Sequence, residues 1–128
     1  MEISIVIILL ALVQYLLLTL KVGKSREKYK VLSPKTVGDE TWERMFRIQQ
    51  NTLEQLVVFI PGMLIFSHYV SSLWVVLPGV LFLIGRQVFA IAYFNEPKSR
   101  TLGFALTFFS NVGLVVAGLI GVIVAMFA

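Results

Sequence analysis

A chain of 128 residues that is 58% hydrophobic and only 14% charged, with a mean hydropathy of +0.88, is too apolar to cover itself as a soluble domain. Such domains carry roughly 45–50% apolar and 25% charged residues, so the composition predicts one compact integral membrane unit. The net charge of +4 could suit nucleic acid, but the cations cluster beside apolar runs, where membrane topology explains them and no nucleic-acid partner is expected.

No cysteine is present, which excludes a disulfide framework and a cysteine nucleophile. The single His68, beside Tyr69 in a short polar break, cannot build a metal cluster, and no metal is expected.

Ile3 to Leu20 is an apolar run of near-spanning length, about 20 residues being the norm. It sits where a signal peptide would. However, Glu2 precedes it instead of a basic cluster, and no small-residue cleavage site follows. Lys21, Lys24, Arg26, Lys28 and Lys30 follow like a stop-transfer flank, so the run reads as a retained first transmembrane helix.

Residues 21–41 form the expected first loop, with turn chemistry at Ser33-Pro34 and Val37-Gly38-Asp39. Thr41 is the expected N-cap of a second span over about 42–66, with Trp42 at the membrane interface. Pro61-Gly62 predicts a kink inside that span, and Ser67 to Ser72 a tight uncharged loop. A third span over about 73–94 is closed by Asn95-Glu96-Pro97, because proline cannot continue the ladder. Lys98-Ser99-Arg100 makes a short loop before a fourth span over about 102–127. There Ala117, Gly121 and Ala125, four apart, offer a small-residue face for close packing.

Four spans put both termini on one side. Six of the eleven Lys and Arg lie between Lys21 and Lys35, Lys98 and Arg100 lie in the third loop, and the second loop has none. That bias predicts loops one and three in the cytoplasm and the termini opposite.

Two polar stripes cross this apolar background. At about 100° per residue, Arg44, Arg47, Asn51 and Glu54 fall within roughly 80° on one helix face. Membrane-edge anchoring would account for the arginines but not for Asn51 and Glu54, which reach into the apolar segment. Such a stripe must face a bundle interior or a wet cavity, and it marks a candidate functional site.

In the third span Arg86, Phe89 and Tyr93 share a face about 60° wide. At about 1.5 Å per residue, Glu54 lies roughly 15 Å beyond Arg44, and Arg86 about 13 Å before Asn95. The two spans run antiparallel, so the depths match and an Arg86–Glu54 ion pair is expected inside the bundle. Tyr93 and Arg47 fall nearer the cytoplasmic surface, where Tyr93 could also serve as an interfacial anchor. The complement of these groups is a small anion that also bears an ammonium. Arginines would clamp its carboxylates, and Glu54 would meet either the ammonium or Arg86.

These residues resemble the membrane-associated proteins in eicosanoid and glutathione metabolism, the MAPEG family. Its members include microsomal glutathione transferases, leukotriene C4 synthase and the 5-lipoxygenase-activating protein. One motif is Arg44-x-x-Arg47-x-Gln49-x-Asn51-x-x-Glu54, similar to the family's second-helix signature. The other is Gly85-Arg86-x-x-Phe89-x-x-x-Tyr93, with Arg100 seven residues later.

The resemblance implies an all-α, four-transmembrane-helix bundle assembled as a homotrimer, with glutathione bound between subunits near the cytoplasmic face. Arg47, Asn51, Glu54 and Tyr93 would contact it, with Gln49 nearby, and Arg26 would reach a carboxylate. Arg100 would hold the sulfur as thiolate. The implied activity is transfer of glutathione to lipophilic electrophiles, with reduction of lipid hydroperoxides as a further reaction open to the same thiolate.

The family's eicosanoid enzymes carry tyrosine where this chain has Gln55 and Phe89, so leukotriene synthesis is not the expected role. A detoxifying bacterial member in the inner membrane is. The alternative is a non-enzymatic lipid-binding or scaffold protein, as in the lipoxygenase-activating branch. A small multidrug-type transporter ranks last, since such proteins place their glutamate in the first span.

Overall fold

A computed structural model describes residues 1–96 and 100–128. Its elements are α1 (Glu2–Lys28), α2 (Glu40–Tyr69), α3 (Val76–Asn95) and α4 (Thr101–Met126), with no strand among the described residues. The protein is thus an all-α integral membrane bundle. α1, α3 and α4 are long and apolar enough to cross a membrane. α2, at 30 residues, is not among them by composition, because its first half carries the polar stripe.

α1 and α4 each pack on both α2 and α3. At the centre Phe59 and Phe82 stack with ring centroids 3.8 Å apart, among Ile7, Ala11, Met63 and Leu114. Leucines on the opposite faces, such as Leu17, Leu102 and Leu119, are about 60% exposed. Such faces suit hydrocarbon, since a lipid solvent removes the need for a polar exterior.

Small residues let α3 and α4 approach closely. A Cβ on Gly85 would meet Leu106 Cβ at 2.9 Å, and one on Gly103 would run into the Phe89 backbone. The Ser110 hydroxyl donates to the Pro78 carbonyl at 2.6 Å across the same contact.

The buried stripe of α4 is Gly103, Thr107, Ser110, Asn111, Leu114 and Gly118. The expected Ala117–Gly121–Ala125 face is therefore only partly used. Ala117 packs on the core and Gly121 approaches the Tyr69 carbonyl, but Ala125 is exposed.

Four boundaries differ from the sequence expectation. α1 continues past Leu20 through Lys21, Lys24, Arg26 and Lys28, because Lys, Arg and Glu are good helix formers. It ends where the Val31 N–H bonds back to the Arg26 carbonyl at 2.9 Å with Lys30 at φ 57°, a left-handed helix stop.

α2 is capped by Asp39, whose carboxylate accepts the Trp42 N–H at 2.9 Å, rather than by Thr41, which lies inside the helix. It then runs through Pro61 to Tyr69, so Ser67 and His68 are helical. α3 starts at Val76 rather than Leu73, with Pro78 in its first turn, where a missing N–H is tolerated. It ends at Asn95 as expected, with Glu96 extended at φ −150°. Pro97, Lys98 and Ser99, expected to stop the span and charge the third loop, lie outside the described residues.

Trp42 is not an interfacial anchor. It is fully buried, its Nε1 donates to the Val22 carbonyl at 3.1 Å, and the Arg26 guanidinium lies 4.5 Å from its ring centroid. It locks the end of α1 to the start of α2. Trp42→Phe deletes the donor and weakens the cation–π contact, so we expect a stability loss of about 1–2 kcal/mol in thermal unfolding in detergent. An unchanged midpoint would remove the lock.

Candidate functional site

The polar stripe of α2 opens onto a cavity of about 470 Å³ closed by α3 and the start of α4. Its walls hold Arg47, Asn51, Glu54, Tyr93 and Arg100, five residues that the sequence singled out. Helical spacing delivers the first three from one face of α2. Tyr93 comes from the stripe of α3, buried and stacked on Phe89 with centroids 5.5 Å apart. Arg100 precedes Thr101, the first residue of α4, and is exposed.

Two guanidiniums and one carboxylate share this space. Arg47 Nη2 lies 3.4 Å from Glu43 Oε1, one turn back on α2, and its side chain is 59% exposed. A surface pair of that kind is worth little and yields readily to a better anion. Glu54 is exposed in the cavity wall and makes no ion pair with a described residue. The arrangement can therefore receive a carboxylate at Arg47 and an ammonium at Glu54, with the Arg100 guanidinium at the mouth for a second anionic group.

Three sequence residues lie elsewhere. Arg44 pairs with Glu40 at 3.1 Å and donates to the Phe94 carbonyl at 3.5 Å, tying α2 to the end of α3. Gln49 turns towards α1, donating to the Thr19 hydroxyl at 3.0 Å. Arg26 lies on Trp42, and its Nη1 donates to the carbonyls of Val31 and Lys35 at 3.2 and 2.7 Å. None of the three lines the cavity of its own chain.

The expected Arg86–Glu54 ion pair does not form. Arg86 is buried, but its Nη1 donates to Asn51 Oδ1 at 2.8 Å, one helical turn before Glu54. The depths match, but the guanidinium approaches α2 on the side of Asn51 and leaves Glu54 to the cavity. Asn51 is thereby held from behind at the cavity wall.

Gln50, Thr101 and Phe104 complete the lining and were not foreseen. Gln50 follows Arg47 by three positions and Phe104 follows Arg100 by four. The helical period would have found both had it been applied to the cavity rather than to the charges.

The MAPEG family model matches residues 4–120 of the chain. An uncharacterized protein of the cyanobacterium Synechocystis is 40% identical over 89% of this chain and 83% of its own length. Human microsomal glutathione S-transferase 2 is 33% identical over 80% of this chain and 70% of its own. A protein of Dictyostelium discoideum named probable microsomal glutathione S-transferase is 34% identical over 57% of this chain and 49% of its own.

Proposed function

The chain belongs to the MAPEG family, and on that premise we propose that it is a membrane-bound glutathione transferase. The observation that carries the reading is the convergence of Arg47, Asn51, Glu54, Tyr93 and Arg100 on one cavity. Glutathione has two carboxylates, an ammonium and a thiol, and the cavity offers groups of matching sign. Arg47 takes a carboxylate and Glu54 the ammonium. Asn51 and the Tyr93 hydroxyl orient the peptide, and Arg100 stands over the sulfur.

The thiolate, not the thiol, is the nucleophile. A neighbouring guanidinium favours the charged form and so raises its population. The sulfur then attacks an electrophile dissolved in the bilayer, or a lipid hydroperoxide in a peroxidase turnover. The remaining acceleration comes from holding two reactants together. No protein nucleophile enters the reaction.

Arg26 and Gln49, turned away from their own chain's cavity, serve a neighbouring copy in a homotrimer. Loops one and three face the cytoplasm of a bacterial inner membrane in this reading, with both termini opposite.

Mixing the purified protein in detergent with glutathione should raise the ultraviolet absorbance of a bound thiolate. A folded protein that binds glutathione without that signal would turn the reading towards a non-catalytic binding protein. Glu54→Gln removes the ammonium partner but keeps the shape, so glutathione binding should weaken about tenfold, the value of one charge-assisted hydrogen bond. Calorimetric titration measures it, and unaltered affinity would take Glu54 out of the ligand contacts.

A further inference from the structure

The cations at the end of α1 divide between two faces of the helix. Arg26 turns inward, over the Trp42 ring and onto the carbonyls of Val31 and Lys35. Lys21, Lys24 and Lys28, at spacings of three and four, fall within about 60° of one another, and all three are exposed. They share a face because α1 stays helical as far as Lys28.

The same face carries Leu10 and Leu17 further down, 51% and 61% exposed. Exposed leucines on a membrane span are covered by lipid chains, and the lysines stand directly above them. Depth agrees with azimuth. About 30 Å of hydrocarbon takes roughly 20 residues, which from Ile3 reaches Val22. Lys21 is then at the hydrocarbon edge. Lys24 and Lys28 lie roughly 5 and 10 Å beyond it, across a headgroup layer of about 5–8 Å.

Two of the ammoniums rest on a ring. Lys21 Nζ lies 4.9 Å from the Phe94 ring centroid and Lys28 Nζ 5.3 Å from that of Tyr29. A ring face occupies one side of an ammonium and leaves its other N–H bonds for oxygen acceptors. The ion pairs between described residues both lie within α2, so no described carboxylate neutralises the row. Glu27, the acidic residue of this stretch, is about 60° further round the helix from Lys24.

We propose that this face of α1 binds the headgroups of anionic phospholipids, whose acyl chains lie on the leucine stripe. The three lysines meet the phosphate layer from inside its own depth. A zwitterionic headgroup carries a cation that offsets its phosphate, so the row selects lipids of net negative charge. Free phosphate lacks the chains that hold a headgroup at this depth. None of the three lysines lines the thiol cavity, and the assignment does not depend on how that cavity is read.

Electron paramagnetic resonance of spin-labelled lipids, in phosphatidylcholine membranes holding the whole chain, separates lipid held at the protein surface from bulk lipid. At low salt, labelled phosphatidylglycerol should associate at least about fivefold more strongly than labelled phosphatidylcholine, the value of one lysine near the surface. That preference should fade at about 1 M salt, where the screening length is about 3 Å. Lys21→Gln, Lys24→Gln and Lys28→Gln together should abolish it at low salt. Lys30→Gln with Lys35→Gln, beyond the helix end, should leave most of it.

Equal association of the two lipids with the wild-type protein would overturn the proposal. So would a preference that survives the three changes or high salt, or one lost equally in the Lys30 and Lys35 variant. Loss of the preference on adding inorganic phosphate at matched ionic strength would make the row a site for free phosphate and refute the lipid assignment. If the triple variant fails to fold, the salt series and the Lys30 and Lys35 variant still decide it.

Discussion

Replacing Arg100 by alanine should abolish the glutathione thiolate signal at neutral pH while leaving much of the glutathione affinity in place. Arg100 is the exposed residue at the mouth of the cavity, immediately before α4, with Thr101 and Phe104 beside it in the wall. A thiol in that position sits near a guanidinium and near the free N–H groups that begin a helix. Both favour the anion, and the guanidinium is the stronger because it carries a full charge. An opposite charge at contact distance lowers an acid's pKa by about 1–3 units, from about 8.5 for a free thiol. Loss of Arg100 should therefore cut the thiolate fraction, and with it the rate of conjugation, by about 8- to 30-fold at pH 7.

The pH profile separates ionisation from binding, and its sign is fixed. Arg100 lowers the bound thiol's pKa, so the variant's deficit is full at low pH and shrinks as the pH rises past the wild-type value. It should vanish above roughly pH 9–10, where a free thiol is ionised without help. A deficit that stays constant up to that pH would mean that Arg100 holds the ligand and does not set its charge. Rates equal to wild type throughout would remove Arg100 from the chemistry.

Much of the cavity was legible because it is written in the helical period. Arg47, Asn51 and Glu54 share a face of α2 at spacings of four and three, and Tyr93 follows Phe89 and Arg86 on α3 in the same way. Arg100 is different. No periodicity links it to those stripes, and it entered only through its resemblance to the family's arginine.

What the sequence does not carry is azimuth, the rotation of one helix against another. Depth arithmetic placed Arg86 level with Glu54, yet the guanidinium meets Asn51, because rise per residue fixes height and says nothing about which side of α2 faces α3. The same gap explains Gln49, which shares a motif with Asn51 but sits about 160° around the helix from it and faces α1. It explains α4 as well. Several faces of that helix carry glycine or alanine, and only contact with α2 and α3 selects the one that begins at Gly103. Boundaries were missed for another reason. Asp39 and Thr41 are both competent caps, and the competition is settled by which carboxylate or hydroxyl meets the free N–H groups in three dimensions.

Gly103→Ala should be the most damaging single-methyl change in the chain, and it should harm the cavity as well as the fold. An added Cβ would overlap the backbone N of Phe89 and lie 2.6 Å from its Cα and 2.8 Å from its Cβ. A flexible side-chain end could swing aside, but helix backbone cannot, so α4 must move away from α3. Overpacking of this kind costs about 1–3 kcal/mol. The displaced parts are those that make the cavity: Phe89 stacks on Tyr93 on one side of the contact, and Arg100, Thr101 and Phe104 flank Gly103 on the other.

Gly113→Ala is the matching control. It lies on the same helix with nothing within 4 Å of an added Cβ. Alanine is the better helix former by about 1 kcal/mol, so that variant should be as stable as wild type or slightly more so. Thermal unfolding of the two variants in detergent, with the thiolate absorbance of each read below its transition, tests both halves of the expectation. Gly103→Ala should melt earlier and, while still folded, show a weaker thiolate signal, because Arg100 has been carried away from the sulfur. Equal melting of the two variants would mean that the α3–α4 approach is softer than its geometry demands. Equal thiolate signals would mean that this approach does not position Arg100.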